Sequence, residues 1–316
     1  MKPIIYTSRL SKHHDTGQNH PESVARIEAL ETLFQTDPFI DWTQKTGVAA
    51  TSDQINLAHD EEYIYNLLNF TPNKDLIAID GDTILSNGSF DAALHAAGAV
   101  CYAVDDVMTD VVKRAFVAVR PPGHHAEPHM AMGFCLFNNV FIGARHAQTA
   151  HGIQKIAIVD FDVHHGNGTD TMAFNHNEKI KEGKNNAPIL YISTHGYPLF
   201  PMTGDPRDNS DTLLNIRLQP DFDSEEFRLA YEDEVFPALK QFKPDLLMIS
   251  AGFDAHQHDP LAGARLKTED FRWVTKKLCG IADTYCGGRI ISVLEGGYDI
   301  PTLKECVSTH LLALDS

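Results

Sequence analysis

The chain has 316 residues, 43% hydrophobic and 22% charged, a globular balance that excludes a disordered, collagen-like or disulfide-stapled protein. Against 26 Lys and Arg stand 43 Asp and Glu, giving a formal net charge of -17. That charge repels phosphate backbones and anionic membranes, so neither nucleic acid nor a membrane is an expected partner, whereas lysine side chains and polyamines suit it.

Short apolar, β-branched runs at residues 4–6, 115–119, 156–159, 189–192, 213–216, 246–249 and 290–294 read as buried strands. Between several of them, apolar residues at three- and four-residue spacing predict helices over 24–34, 90–107, 140–150, 225–241 and 268–285. This alternation predicts an α/β fold of three layers, a mostly parallel sheet with helices on both faces. No linker or internal repeat divides the chain, and the one long polar stretch is 175–186, so a single domain over 1–316 is expected. Cys101, Cys135, Cys279, Cys286 and Cys306 are odd in number and never form CxxC, as reduced thiols do. No apolar run approaches the roughly 20 residues of a membrane span, and MKPIIYTSRLSKHHD lacks an apolar signal core. A cytoplasmic location is expected.

The unusual residues follow the strands. Residues 117–120 run into PPGHHAE, 156–159 into DFDVHHGNG, 191–193 into TH, 247–250 into AGFDAH and 292–294 into EGGYD. In a parallel sheet the C-terminal strand edge gathers ligand-binding loops, so the five clusters predict one site.

Asp160, Asp162 and His164 alternate along what reads as an extended stretch, which would point them to one side. Carboxylate and imidazole suit zinc or another divalent first-row metal, and Asp254 is the best third ligand. The alternative for a lone DxDxH is helix capping or water-bridged carboxylates. His124 and His125 follow the stiff Pro121–Pro122–Gly123 turn, where an imidazole can exchange protons with a metal-activated water and a leaving amine. His13 and His14 are given no role, and His165, pointing away from His164, reads as structural. Tyr298, after Gly296 and Gly297, puts a phenol where an oxyanion would develop, although an isolated GGY is more often a turn. On base rates Phe134 and Phe200 are core residues.

Together RPPGHHA, GFCLFNN, DFDVHHGNGT, STH, FP, SAGFDAH and LEGGYD, with the HPE-xxx-RI element at 20–27, resemble the histone deacetylase superfamily over nearly the whole chain. The likeness is nearer to its class II and bacterial branch than to class I, and the family is similar in fold to arginase. The resemblance implies one catalytic zinc held by Asp162, His164 and Asp254. It implies catalytic His124 and His125, paired with Asp160 and Asn167 respectively, and an oxyanion-stabilising Tyr298. Class I members carry aspartate where this chain has Asn167, so His125 should be less polarised and serve as both base and acid.

The resemblance further implies that Gly133, Phe134 and Phe200 line a substrate channel. A structural potassium ion would involve Asp160, Asp162, His164, Ser193 and Thr194. Asp82 would be a rim carboxylate, and Leu261 stands where polyamine-specific relatives place an acidic gatekeeper. The implied reaction is zinc-dependent removal of acetyl or another short acyl group from acetyl-lysine of proteins or peptides. Acetylated polyamine hydrolysis is the alternative. An arginase-like binuclear ureohydrolase would need further carboxylates, and a non-catalytic acyl-lysine binder fits poorly with a full set of catalytic groups.

Overall fold

The computed structural model describes residues 1–183 and 187–316; part of the polar stretch at 175–186 lies outside them. Its strands are β1 (Ile4–Thr7), β2 (Gln44–Thr46), β3 (Ile77–Ala78), β4 (Ile84–Leu85), β5 (Arg114–Ala118), β6 (Ile156–Asp160), β7 (Ile189–Gly196), β8 (Leu213–Leu218), β9 (Leu246–Ala251) and β10 (Ile290–Leu294). The helices are α1 (Val24–Phe34), α2 (Ser52–Ile55), α3 (Glu61–Phe70), α4 (Ser89–Met108), α5 (Asn139–His151), α6 (Asn167–Lys181), α7 (Ser224–Ala230), α8 (Phe236–Phe242), α9 (Thr268–Tyr285) and α10 (Ile300–Leu314).

Eight strands form one sheet in the order β2-β1-β5-β10-β9-β6-β7-β8. Every pairing in it is parallel; β3 and β4 form a separate antiparallel pair. The alternation of side chains divides the core in two. Ile5, Ala157, Val159, Leu247 and Ile249 pack on one face with residues of α1, α9 and α10. Ile4, Tyr6, Ile156, Ile158, Leu246 and Met248 pack on the other with α4 and α5. Burial on both faces is why the strands read as continuous apolar runs. Each of the Val, Leu, Ile and Met side chains among them contributes about 1.5–3 kcal/mol by leaving water.

All seven expected strands and five helices form, with one difference. The span 225–241 is two helices separated by a π-helical turn, Tyr231–Val235, with Pro237 just beyond it. A proline has no N–H for the ladder, and a wider turn is one way to accommodate that. All five cysteines are unpaired and buried. Among the described residues no helix is long and apolar enough to cross a membrane.

A buried ion network ties the N-terminal segment to the sheet edge. Glu22, fully buried, accepts from Arg26 (Nη1, 3.1 Å) and from Arg120 (Nε 2.5 Å, Nη2 2.7 Å). Arg120 also donates to the Ser11 and His14 carbonyls, and Arg26 to those of Gly297 and Glu295. Burial pushes the Glu22 carboxyl up, but the two guanidinium groups outweigh it and hold it at about 2, below the ordinary 4.5. A depressed carboxyl contributes stability that is fully present above its unfolded value and is lost as pH falls toward the folded one. Acid unfolding is therefore expected to draw on Glu22 between about pH 4.5 and pH 2. Glu22→Gln leaves two buried cations uncompensated and is expected to cost about 3–5 kcal/mol at neutral pH, read by denaturant unfolding; a loss below 1 kcal/mol would contradict this role.

Candidate active site

The C-terminal ends of β6, β9 and β10 deliver four wholly buried carboxylates, Asp160, Asp162, Asp254 and Glu295, to one place. Only Asp160 lies in a strand; Asp162 and His164 stand in the bend that follows, not in extended backbone. The bend is set by the aspartates, with the Asp162 N–H donating to Asp160 Oδ1 (3.1 Å) and the His164 N–H to Asp162 Oδ1 (2.9 Å). The side chains still converge, because this local bonding replaces strand pleating.

His164 Nδ1 lies 3.2 Å from Asp162 Oδ1 and 3.0 Å from Asp254 Oδ2. The three residues form a group able to hold a metal ion, with one ligand atom from each within 4.8 Å of the others. Backbone donors fix the remaining oxygens, Val163 N–H on Asp254 Oδ1 (3.0 Å) and Gly296 N–H on Asp162 Oδ2 (2.8 Å). A Cβ on Gly296 would collide with both aspartates, so only glycine allows this approach. Burial and the Asp162 charge push Asp254 up to about 7. Although burial opposes charge on His164, Asp162 and Asp254 raise it to about 10. An ionised Asp162 beside Asp254 and His164, both of which hold their protons more tightly than usual, is a donor set suited to one divalent cation, which would replace those protons.

His124 and His125 stand beside this group, ring centroids 4.0 Å apart. Glu295 aims their loop by accepting from Gly123 N–H (2.6 Å) and His124 N–H (3.1 Å). His124 Nδ1 donates to Asp160 Oδ2 (3.0 Å), which also accepts from the Tyr191 hydroxyl. Burial works against charging His124, yet Asp160 and Asp162 prevail and raise it to about 10. His125 is held well below its ordinary value, by burial and then by the neighbouring His124 and His164. Asn167 donates through Nδ2 to Glu127 (2.6 Å), so its Oδ1 faces His125 Nδ1 at 2.8 Å. Nδ1 must then carry the proton, and Nε2 keeps a free lone pair.

A cavity of about 320 Å³ opens onto the site, lined by His20, Asp82, Gly133, Phe134, Phe200, Leu261 and Tyr298 with His125 and His164 at its floor. Phe134 and Phe200 are channel walls rather than core. Phe200 is 41% exposed, and Phe134 packs edge-on to Tyr298. Gly133 and Phe134 both have left-handed backbone (φ 55° and 68°), which turns that wall inward. Leu261 sits at the mouth, and Asp82 is exposed there, its carbonyl accepting from His20 (2.9 Å). Thr194 Oγ1 lies 3.5 Å from the Asp160 carbonyl, and Ser193 is opposite Asp160 across the β6–β7 pairing. His165 faces away, bonded to Thr203 and Asn215.

Three supports were not read from sequence. Asp259, in the DAHQHD segment, accepts from Tyr298 N–H (2.7 Å) and Leu261 N–H (3.0 Å), so one carboxylate sets both the phenol and the mouth. Arg26 lies 5.0 Å over the Tyr298 ring, and Glu295 holds the histidine loop from below. The signal available for Glu295 was a charged residue between a buried strand and two glycines, a position that demands internal partners.

A family model described as histone deacetylase domain matches residues 20–314. An uncharacterized protein of Synechocystis sp. is 39% identical over 320 residues, which cover 99% of this chain and 99% of that one. Type-2 histone deacetylase 2 of Dictyostelium discoideum is 42% identical over 99% of this chain, which spans 21% of that longer protein. The crystal structure of the HDA15 HD domain superposes with a TM-score of 0.89 at 29% identity, covering 99% of this chain and 90% of that one.

The protons on His164 and Asp254 give a direct test of cation binding. At neutral pH a divalent cation bound by this group must displace protons held by His164 and Asp254. Zinc titration of chelator-treated protein in buffers of different ionisation heat is expected to show that release, and a value near zero would contradict the ligand set.

Proposed function

The chain belongs to the histone deacetylase family, and on that premise we propose that it is a zinc-dependent amidohydrolase. Residues 1–316 would act as one catalytic domain removing acetyl, or another short acyl group, from lysine side chains of proteins or peptides. The observation that carries the reading is the junction of the Asp162–His164–Asp254 group with the His124–His125 pair at the floor of an aromatic-walled channel.

Asp162, His164 and Asp254 would hold the zinc, which when bound supplies Lewis acidity at the acyl carbonyl and lowers the pKa of a water. Phe134 and Phe200 grip the aliphatic arm and keep bulk water from it. His125 takes the attacking water's proton at Nε2, since Nδ1 is committed to Asn167. The developing oxyanion accepts from the Tyr298 hydroxyl, whose backbone Asp259 fixes. Burial and then the Asp254 and Asp162 charges keep that phenol protonated, so it remains a donor through the alkaline range. His125 then delivers its proton to the amine nitrogen as the C–N bond breaks, with the cationic His124 beside it; the free amine and the carboxylate leave.

The reading includes a structural potassium ion held by oxygens of Asp160, Asp162, His164, Ser193 and Thr194. The approach of Thr194 to the Asp160 carbonyl supports it. Acetylpolyamine hydrolysis is the second reading, favoured by the exposed Asp82 at the mouth. Leu261 favours acetyl-lysine, because a leucine at that position gives a second ammonium no partner on its side of the mouth.

Tyr298→Phe is expected to lower kcat by about 10² to 10³ while zinc content stays unchanged; near-normal turnover would refute the oxyanion role. Zinc-loaded protein is expected to prefer an acetyl-lysine peptide over N-acetylputrescine and N-acetylspermidine by about tenfold or more in kcat/KM; the reverse order would establish the polyamine reading. Asn167→Asp sets a negative charge against His125, favours its charged form, and is expected to move the acidic limb of the kcat/KM profile up by about one pH unit. An unmoved limb would remove His125 as the base.

A further inference from the structure

On the opposite edge of the sheet, α4 and α5 end side by side. Asp105 lies in the last turn of α4, and His146 and His151 in the last turns of α5. Both imidazoles present Nε2 to the same oxygen, Asp105 Oδ1, at 2.8 Å and 2.7 Å. Their rings stand at 86° with centroids 5.9 Å apart. We propose that these three residues form a second metal site, specific for a divalent ion of the zinc and copper type, that clamps α4 to α5.

Four observations carry it. The donor set, two imidazoles and one carboxylate, is that of zinc and copper(II) sites. The three ligand atoms lie within 4.8 Å of one another, as they do in the Asp162 group. Two helix C-termini converge here, each with the partial negative charge that favours a cation. The rings are held, with side chains 12% and 20% exposed, whereas Asp105 is 47% exposed and free to adjust.

Zinc bonded at about 2.0–2.1 Å needs tetrahedral ligand atoms about 3.3 Å apart, so Asp105 need withdraw by only about 0.5 Å. Its remaining coordination positions open to water. The atoms that now share two imidazole protons would share one cation.

The site is separate from the catalytic centre. The N-terminal end of α5 holds the tandem-histidine loop, Asn138 Nδ2 on the Ala126 carbonyl and Asn139 Nδ2 on that of Pro121. The thirteen residues of α5 put His151 about 20 Å from that end. The role is therefore structural. The clamp fixes the two helices that back β5 and β6 without touching substrate.

The test is zinc stoichiometry by equilibrium dialysis and elemental analysis, on untagged, chelator-treated protein with zinc alone as probe. Wild type is expected to bind two equivalents, and His146→Gln/His151→Gln one, with deacetylation retained. One equivalent in both proteins, or two in both, overturns the proposal. One in wild type and none in the double variant would uphold this site and instead refute zinc binding by Asp162, His164 and Asp254, so the two readings fail separately. Asp105→Asn, a half-exposed change that spares the fold, is expected to weaken the second equivalent at least tenfold while leaving the first; unchanged affinity counts against the site. With both equivalents bound, amide exchange at the C-terminal turns of α4 and α5 is expected to slow in wild type but not in the double variant.

Discussion

Four carboxylates taken out of water at one sheet edge are the constraint on which this structure turns. An isolated buried carboxylate is too costly to remain ionised, so each of Asp160, Asp162, Asp254 and Glu295 must be met by a donor or a cation. The donors that meet them make the site. Glu295 is satisfied by the loop it aims, Asp160 by His124 and Tyr191, and Asp162 and Asp254 by His164 and by backbone N–H groups of Gly296 and Val163. Compensation of buried charge and arrangement of reactive groups are thus one set of contacts. A parallel sheet makes this possible, because its strands all end at the same edge.

A second buried charge cluster extends the site into the N-terminal segment. Glu22 joins Arg120, which leads into the histidine loop, to Arg26, which holds the Gly297 and Glu295 carbonyls under Tyr298. The tandem histidines and the phenol are therefore braced from one carboxylate. Asp259 completes the brace from the far side. Pre-organised donors of this kind need no reorganisation as charge develops on the substrate.

Much of this was legible from the residues. The β-branched runs gave seven of the eight strands of the main sheet, and 24–34 and 268–285 coincide with α1 and α9 because their apolar spacing is uninterrupted. What was missed had weak local signal. Gln44–Thr46 is polar and forms the edge strand β2 only because β1 offers it a partner. Asn167–Lys181 begins inside a motif of polar residues and glycine, so α6 reads as loop. The Pro-containing start of α10 follows directly on GGYD and hides the helix behind it. Residues announced by type and spacing come together at one sheet edge, whereas supports acting over long sequence separations were not legible. Asp259 reaches Tyr298 39 positions on, and Glu295 reaches Gly123 172 positions back. No periodicity encodes such pairs. The alternation invoked for Asp160, Asp162 and His164 assumed an extended backbone, whereas the backbone there is bent and local bonding to the aspartates sets it.

The central claim is that this buried carboxylate cluster holds one catalytic cation. A crystal structure of the zinc-soaked protein with anomalous data across the zinc edge tests it most directly. The account requires a single peak at the floor of the channel, about 2.0–2.2 Å from one atom each of Asp162, His164 and Asp254. Two adjacent peaks bridged by these carboxylates, or none at zinc occupancies that saturate the protein in solution, would contradict it.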